Sequence, residues 1–245
     1  MSDPVLLAFV GIPILLAAAL VWGAMVSWRR AGAERAAVRR VGVLTLVASA
    51  AWMTVTWAVA ASGLLTDWQR TPPPFGILVL AIIALGFGLA FSRLGTRLAT
   101  CLPLWLLVAV QGFRLPLEVA MHAMYERGVM PVQMSYSGRN FDIVTGVTAI
   151  AVAWLVWSGR AGHRLVLAWN VVGSLLLVNV VTVAILGTPK FQYFGPDHVN
   201  VWVLRPPFVW LPAVMVLAAL SGHLIIFRAL RRSSTPSSLK TRTSH

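Results

Sequence analysis

Seven apolar stretches, each close to the ~20 residues that a bilayer crossing requires, follow one another along the chain. They run from Val5 to Ser27, Val41 to Leu65, Phe75 to Ser92, Ala99 to Met121, Asp142 to Ser158, Leu165 to Gly187 and Pro207 to Phe227. Short charged connectors separate them. A soluble fold must show water a polar exterior, and a chain that is 58% hydrophobic and 11% charged has too few polar residues to supply one. The pattern predicts an all-α membrane protein: a seven-transmembrane-helix bundle over residues 1–230, followed by a disordered, basic, Ser/Thr-rich tail over residues 231–245. The fifth stretch is the shortest, and a six-helix count would make it re-entrant.

The connectors give the orientation. With the N-terminus outside, the cytoplasmic segments hold Arg29, Arg30, Arg35, Arg39 and Arg40, then Arg93 and Arg97, then Arg160 and Arg164. The C-terminal end adds Arg228, Arg231, Arg232, Lys240 and Arg242. The outer segments hold only Arg70, Arg127, Arg139, Lys190 and Arg205, and Arg114 lies within a helix. Basic residues flanking spans stay on the cytoplasmic side, so the C-terminus is expected inside. The first stretch has Asp3 before it and its Arg residues after it, the reverse of a cleavable leader, and reads as an uncleaved first helix.

The net charge of +13 is accounted for by this topology, because the Arg residues sit at the ends of apolar stretches and form no aromatic-interleaved stripe. No nucleic-acid partner is implied; the expected partner is membrane lipid. The single cysteine, Cys101, excludes an intrachain disulfide and a CxxC pair. No repeat of 20 to 50 residues relates one part of the chain to another.

Polar side chains are unevenly spread among the spans. The fourth reads QGFRLPLEVAMHAMYERG and sets Arg114, Glu118 and His122 at i, i+4 and i+8 on one helical face. A charge at the centre of a span costs about 2.5 to 3.5 kcal/mol on insertion scales and marks a candidate site with a partner to be named. Glu118 is the expected partner of Arg114. Counted from Ala99 at ~1.5 Å per residue, Arg114 lies about 22 Å into the span; Asn179, counted from Leu165, lies at about 21 Å, so the two are expected at one level. Pro116 should kink the helix. Beyond it, Asn140 is the expected N-cap of the fifth helix, with Asp142 in its first turn. Gln133 and Arg139 from one outer connector, and Lys190, Gln192, Asp197, His198, Asn200 and Arg205 from the next, describe a polar vestibule away from the cytoplasm.

Each of these residues also has a structural explanation: Arg114 with Glu118 as an ion pair that fixes packing, His122 as a snorkelling side chain, Asn140 and Asp142 as caps. Trp28, Trp68, Trp157, Trp202 and Trp210 fit an interfacial belt. Asn170 and His223 stand isolated in the sequence. Three functions fit the pattern. The leading one is a small molecule, lipid or partner bound at the vestibule through Arg114, Glu118, Gln133, Arg139, Asn140, Asp142 and Asn179. The second is a membrane-embedded enzyme with Glu118 and His122 as an acid/base pair or as metal ligands. The third is a transporter, which needs polar groups to continue toward the cytoplasm.

At FRLPLE (Phe113 to Glu118), PVQMSYSGRNFDI (Pro131 to Ile143) and PFVWLP (Pro207 to Pro212), the sequence resembles a family of small, uncharacterised bacterial multi-pass inner-membrane proteins. The resemblance covers the chain up to its tail and implies seven helices, with Arg114, Glu118, Gln133, Arg139, Asn140 and Asp142 as motif positions. It implies no activity and no cofactor. Microbial rhodopsins need a lysine in the last span, and Pro207 to Phe227 has none. His122 and His198 are the nearest residues of metal-ligand type, and no HxxxH or HExxH occurs.

Overall fold

The computed structural model describes residues 4–233, and it is helical throughout those residues apart from turns and connectors. Nine α-helices follow in chain order: α1 (Pro4–Arg30), α2 (Arg35–Ala61), α3 (Pro74–Phe91), α4 (Arg93–Cys101), α5 (Leu104–Val110), α6 (Arg114–Glu126), α7 (Ile143–Trp157), α8 (His163–Leu186) and α9 (Leu217–Ser233). Six segments are long and apolar enough to cross a membrane: α1, α2, α3, the run Leu104–Glu126, α8, and the run Leu211–Arg232. The seventh expected crossing, α7, has 15 residues, about 22 Å of helix against a hydrocarbon core of about 30 Å. Large apolar side chains face outward all around this bundle. Leu15, Leu80, Leu175 and Val178 are each more than 60% exposed, which in water would leave an aggregating surface and in lipid is matched by the solvent.

Sequence determines where these helices stop. Arg29 and Arg30 close α1, where cations suit the carbonyl end of the dipole, and Gly32 turns the chain at φ +75°. Pro74 opens α3 at a position whose missing N–H costs nothing. Ser92 ends α3 and caps α4, its Oγ accepting from the Gly95 N–H at 3.1 Å. The fourth apolar stretch is interrupted, contrary to the expected single helix from Ala99. Leu102 takes an extended conformation ahead of Pro103, as residues preceding proline do, and α5 starts afresh at Leu104. A 3₁₀ turn, Gln111–Phe113, then joins α5 to α6 one turn before Pro116, where the proline was expected to distort the helix. The depth estimate changes with the start: Arg114 is ten residues from Leu104, about 15 Å, near the middle of its span.

The last span opens with a π-helical segment, Leu211–Val216. Trp52 of α2 donates its indole N–H to the Ala213 carbonyl at 2.7 Å, and Trp210 donates to the Met53 carbonyl at 3.0 Å, so α2 and this segment are tied twice. α9 ends at Ser233, and the rest of the expected tail, residues 234–245, lies outside the described residues. The core under the 187–206 connector is aromatic: Phe9, Trp202 and Phe208 pack edge to face with centroids 5.1 to 5.8 Å apart. Trp202 therefore lies in the core, 6% exposed, and not in an interfacial belt as expected.

Candidate functional site

Two connectors meet at one end of the bundle. The α6–α7 connector leaves α6 through a 3₁₀ turn, Val132–Met134, and folds back so tightly that Gly138 rests on the Val132 carbonyl with no room for a side chain. Gln133 reaches from that turn to the second connector and donates its Nε2 to the His198 carbonyl at 2.6 Å. Arg139 sets its guanidinium over the Phe194 ring, 5.4 Å from the centroid. Asn179 of α8 donates to the Arg139 carbonyl at 2.8 Å, so it belongs to this end and not to the level of Arg114. Between the connectors lies an open cleft of ≈ 590 Å³ lined by Val132, Gln133, Ser137, Gly138, Arg139, Tyr193, Phe194 and His198. Gln133 Oε1 is buried there without a hydrogen-bond partner among the described residues.

Below the cleft is a buried ionic cluster. Asn140 donates Nδ2 to both Glu118 oxygens, at 2.9 and 2.8 Å, and to the Met134 carbonyl at 3.0 Å; its Oδ1 accepts the Asp142 N–H at 3.1 Å. The residue expected to cap α7 instead pins the connector to α6. Asp142 occupies the N-cap position itself, and its carboxylate turns sideways with no capping bond to the helix. It accepts from Arg114 Nη1 at 2.6 Å, with both side chains buried. The partner of Arg114 is thus Asp142, in place of the expected Glu118. The reason is backbone proximity: Gly146 packs directly on the backbone of Leu115, where a Cβ would not fit, and brings the start of α7 beside the first residue of α6. Helical spacing alone puts Arg114 and Glu118 on one face, but the shorter reach is lateral.

Asp142 takes only one corner of the guanidinium. Nε and Nη2, which together form the side-on fork that binds paired acceptors, are buried with no partner among the described residues. His122 points elsewhere. Its Nδ1 lies 2.8 Å from Ser135 Oγ and 3.4 Å from Ser137 Oγ, its Nε2 lies 3.5 Å from Glu126, and its ring stacks on Tyr136 at 4.2 Å. Glu118 and His122 are therefore not in contact: one faces Asn140, the other Ser135 and Tyr136. Among the described residues no three His, Cys, Asp or Glu side chains converge as metal ligands.

Polar groups continue past Arg114 toward the other end. His223 and Asn170, isolated in the sequence, form a reciprocal pair: Asn170 Nδ2 donates to the His223 carbonyl at 3.1 Å, and His223 Nδ1 lies 2.7 Å from Asn170 Oδ1. The amide oxygen accepts, so Nδ1 carries the proton, and Nε2 is left as a buried acceptor without a partner among the described residues. Gly173 makes space for that ring: a Cβ there would sit 2.7 Å from His223 Cε1 and 3.0 Å from Thr145 Cγ2. Gln111, 1% exposed, also lies along this line. Its spacing of three from Arg114 and seven from Glu118 extends the same helix face and could have been read from the sequence.

A family model described as a domain of unknown function (DUF8737) matches residues 74–231. The chain belongs to this family. The DUF8737 region takes in both connectors, the ionic cluster and the Asn170–His223 pair, and leaves α1 and α2 outside. No curated protein and no solved structure matches the chain.

Proposed function

We propose that this DUF8737 member is a seven-crossing protein of the bacterial inner membrane, N-terminus outside and C-terminus in the cytoplasm, that binds a small molecule in the outer cleft. Charge supports the orientation, since the Arg-rich segments all fall at the end opposite the cleft. Contacts at that end agree: Arg30 donates to the Cys101 carbonyl at 2.9 Å, and Arg228 donates to the Ala90 carbonyl and to Thr96 Oγ1. α7 starts at the cleft end and α8 returns to it, which supports α7 as a crossing despite its length.

The observation that carries the binding reading is Gln133 Oε1, buried without a partner among the described residues, on a side chain that lines the cleft beside the exposed Arg139. A buried acceptor left dry costs about 1–3 kcal/mol, which a ligand donor offsets. Arg139 calls for an acceptor, and Tyr193 and Phe194 offer flat apolar surfaces. The chemistry fits a small hydroxy or amino carboxylic acid, its carboxylate toward Arg139 and its O–H or N–H toward Gln133. The ionic cluster below serves as the rigid floor that holds the connector in place.

The test is thermal unfolding of protein purified with its native lipid, against a panel of small hydroxy and amino carboxylates. At least one should raise the Tm of the wild type and lose its effect in both Arg139→Ala and Gln133→Leu. A panel that shifts nothing, or shifts all three proteins alike, rejects the reading.

A different observation favours transport as a second reading: the polar groups do not end at Arg114 but reach Asn170 and His223. Uptake of a bound panel member into proteoliposomes, lost in His223→Leu with binding retained, separates transport from binding alone.

A further inference from the structure

Away from the cleft, α1, α2, α5, the π-helical segment and α9 enclose a second cavity of ≈ 280 Å³. Its walls are Leu, Ala, Val, Met and Trp side chains, and it reaches the lipid-facing surface beside Trp22 and Val110, both exposed. Three of its polar members are already occupied or peripheral to its inner end: Trp52 donates to the Ala213 carbonyl, Ser221 donates to the Leu217 carbonyl, and Ser49 is only half-buried. Gln111 is different. Its side chain is 1% exposed, it lines the cavity, and its Oε1 has no partner among the described residues. Gly222 makes that placement achievable, because the Gln111 carboxamide nitrogen occupies the space a Cβ would take. The π-helical segment, a distortion often found where a helix is shaped for a ligand, forms part of the same wall.

We propose that this cavity binds the hydroxyl-bearing end of a long-chain alcohol, straight or isoprenoid, with the hydroxyl hydrogen-bonded to the Gln111 carboxamide and the chain leaving into lipid past Trp22 and Val110. An apolar cavity inside a membrane admits any hydrocarbon, but a hydrocarbon leaves the Gln111 acceptor dry. A hydroxyl is the smallest group that satisfies a carboxamide in either orientation, since it donates and accepts. A carboxylate or phosphate would bring a charge to a wall with no cation. The volume, at roughly 30 Å³ for each water-sized group, holds about nine or ten heavy atoms, enough for the head of the chain and not its whole length. This site is independent of the outer cleft, and neither reading requires the other.

The experiment is photoaffinity labelling of the full-length protein in liposomes with two probes, hexadecanol and hexadecane, each carrying a diazirine at mid-chain, followed by peptide mapping. The alcohol should label the 16–23 and 49–53 segments and be displaced by excess unlabelled hexadecanol, while hexadecane neither labels there selectively nor competes. Gln111→Leu should lower alcohol labelling about tenfold, the weight of one neutral hydrogen bond, and leave hexadecane labelling unchanged. Ala218→Phe, which fills the cavity and leaves the Gln111 carboxamide in place, should also abolish selective labelling, and Tm values of both variants guard against a folding defect. Equal labelling by both probes without competition, or labelling at Leu80 and Leu175 to the same extent, overturns the proposal and leaves a cavity filled by bulk lipid.

Discussion

Asn140 donates its one carboxamide nitrogen to both oxygens of Glu118, at 2.9 and 2.8 Å, while its own oxygen accepts the Asp142 N–H. One side chain thus holds an acid of α6, the connector and the start of α7 together. Asn140→Ala leaves the buried carboxylate, the Met134 carbonyl and the Asp142 N–H without that partner, and should cost about 3 kcal/mol or more of stability. Glu118→Gln keeps an acceptor oxygen for Asn140 and should cost less than half as much. Thermal unfolding in detergent ranks the two, and the opposite order would contradict the arrangement.

The ion pair at the same level makes a second, quantitative claim. Arg114→Ala strands Asp142, and Asp142→Ala strands Arg114, whereas the double change strands neither. A double-mutant cycle on Arg114 and Asp142 should give a coupling energy of about 1–3 kcal/mol, and the cycle on Arg114 and Glu118 a smaller one. Larger coupling to Glu118 would restore the pairing that helical spacing suggests.

That reversal shows where the sequence is informative. Helical spacing put Arg114, Glu118 and His122 on one face, yet Glu118 meets Asn140, His122 meets Ser135 and Tyr136, and the partner of Arg114 is 28 residues away, across a connector whose path depends on Gly138 and Gly146. Periodicity reports faces of single helices and is silent on lateral contacts. The vestibule was legible for a different reason: Gln133, Arg139 and His198 are polar residues in segments flanked by spans, and such segments meet at a bundle end. Asn170 and His223, 53 residues apart, could be paired only by the packing of α8 on α9. The break before α5 was visible in Pro103 but masked by the apolar residues on both sides of it, Leu102 and Leu104 to Val110.

Gly173 gives a prediction that depends on its neighbour. A methyl group there would press on His223 Cε1 at 2.7 Å, and overpacking of this kind costs about 1–3 kcal/mol. In a His223→Ala background the ring is gone, and the added cost of Gly173→Ala should fall below about 1 kcal/mol. Tm values for the two singles and the double decide this. An undiminished cost in the double would mean that the clash lies with another group.

Topology can be tested at three positions in a Cys101→Ser background. Glu34 lies between α1 and α2, Ser137 in the cleft and Ser158 at the end of α7; all three are exposed. Three spans separate Glu34 from Ser137, so a cysteine at 34 and one at 137 should react from opposite sides. Arg29, Arg30, Arg35, Arg39 and Arg40 around position 34 assign that side to the cytoplasm. A membrane-impermeant maleimide added to intact spheroplasts should therefore modify Ser137→Cys at once and Glu34→Cys only after permeabilisation. The reverse pattern would invert the orientation. Ser158→Cys reports on the 15-residue α7 alone. Protection in intact cells makes α7 the fifth of seven crossings, because it then ends on the side opposite Ser137. Labelling of 137 and 158 together from outside would mean that α7 dips in and returns, and the bundle would have six crossings, with α8 and the last span reversed relative to the charge rule.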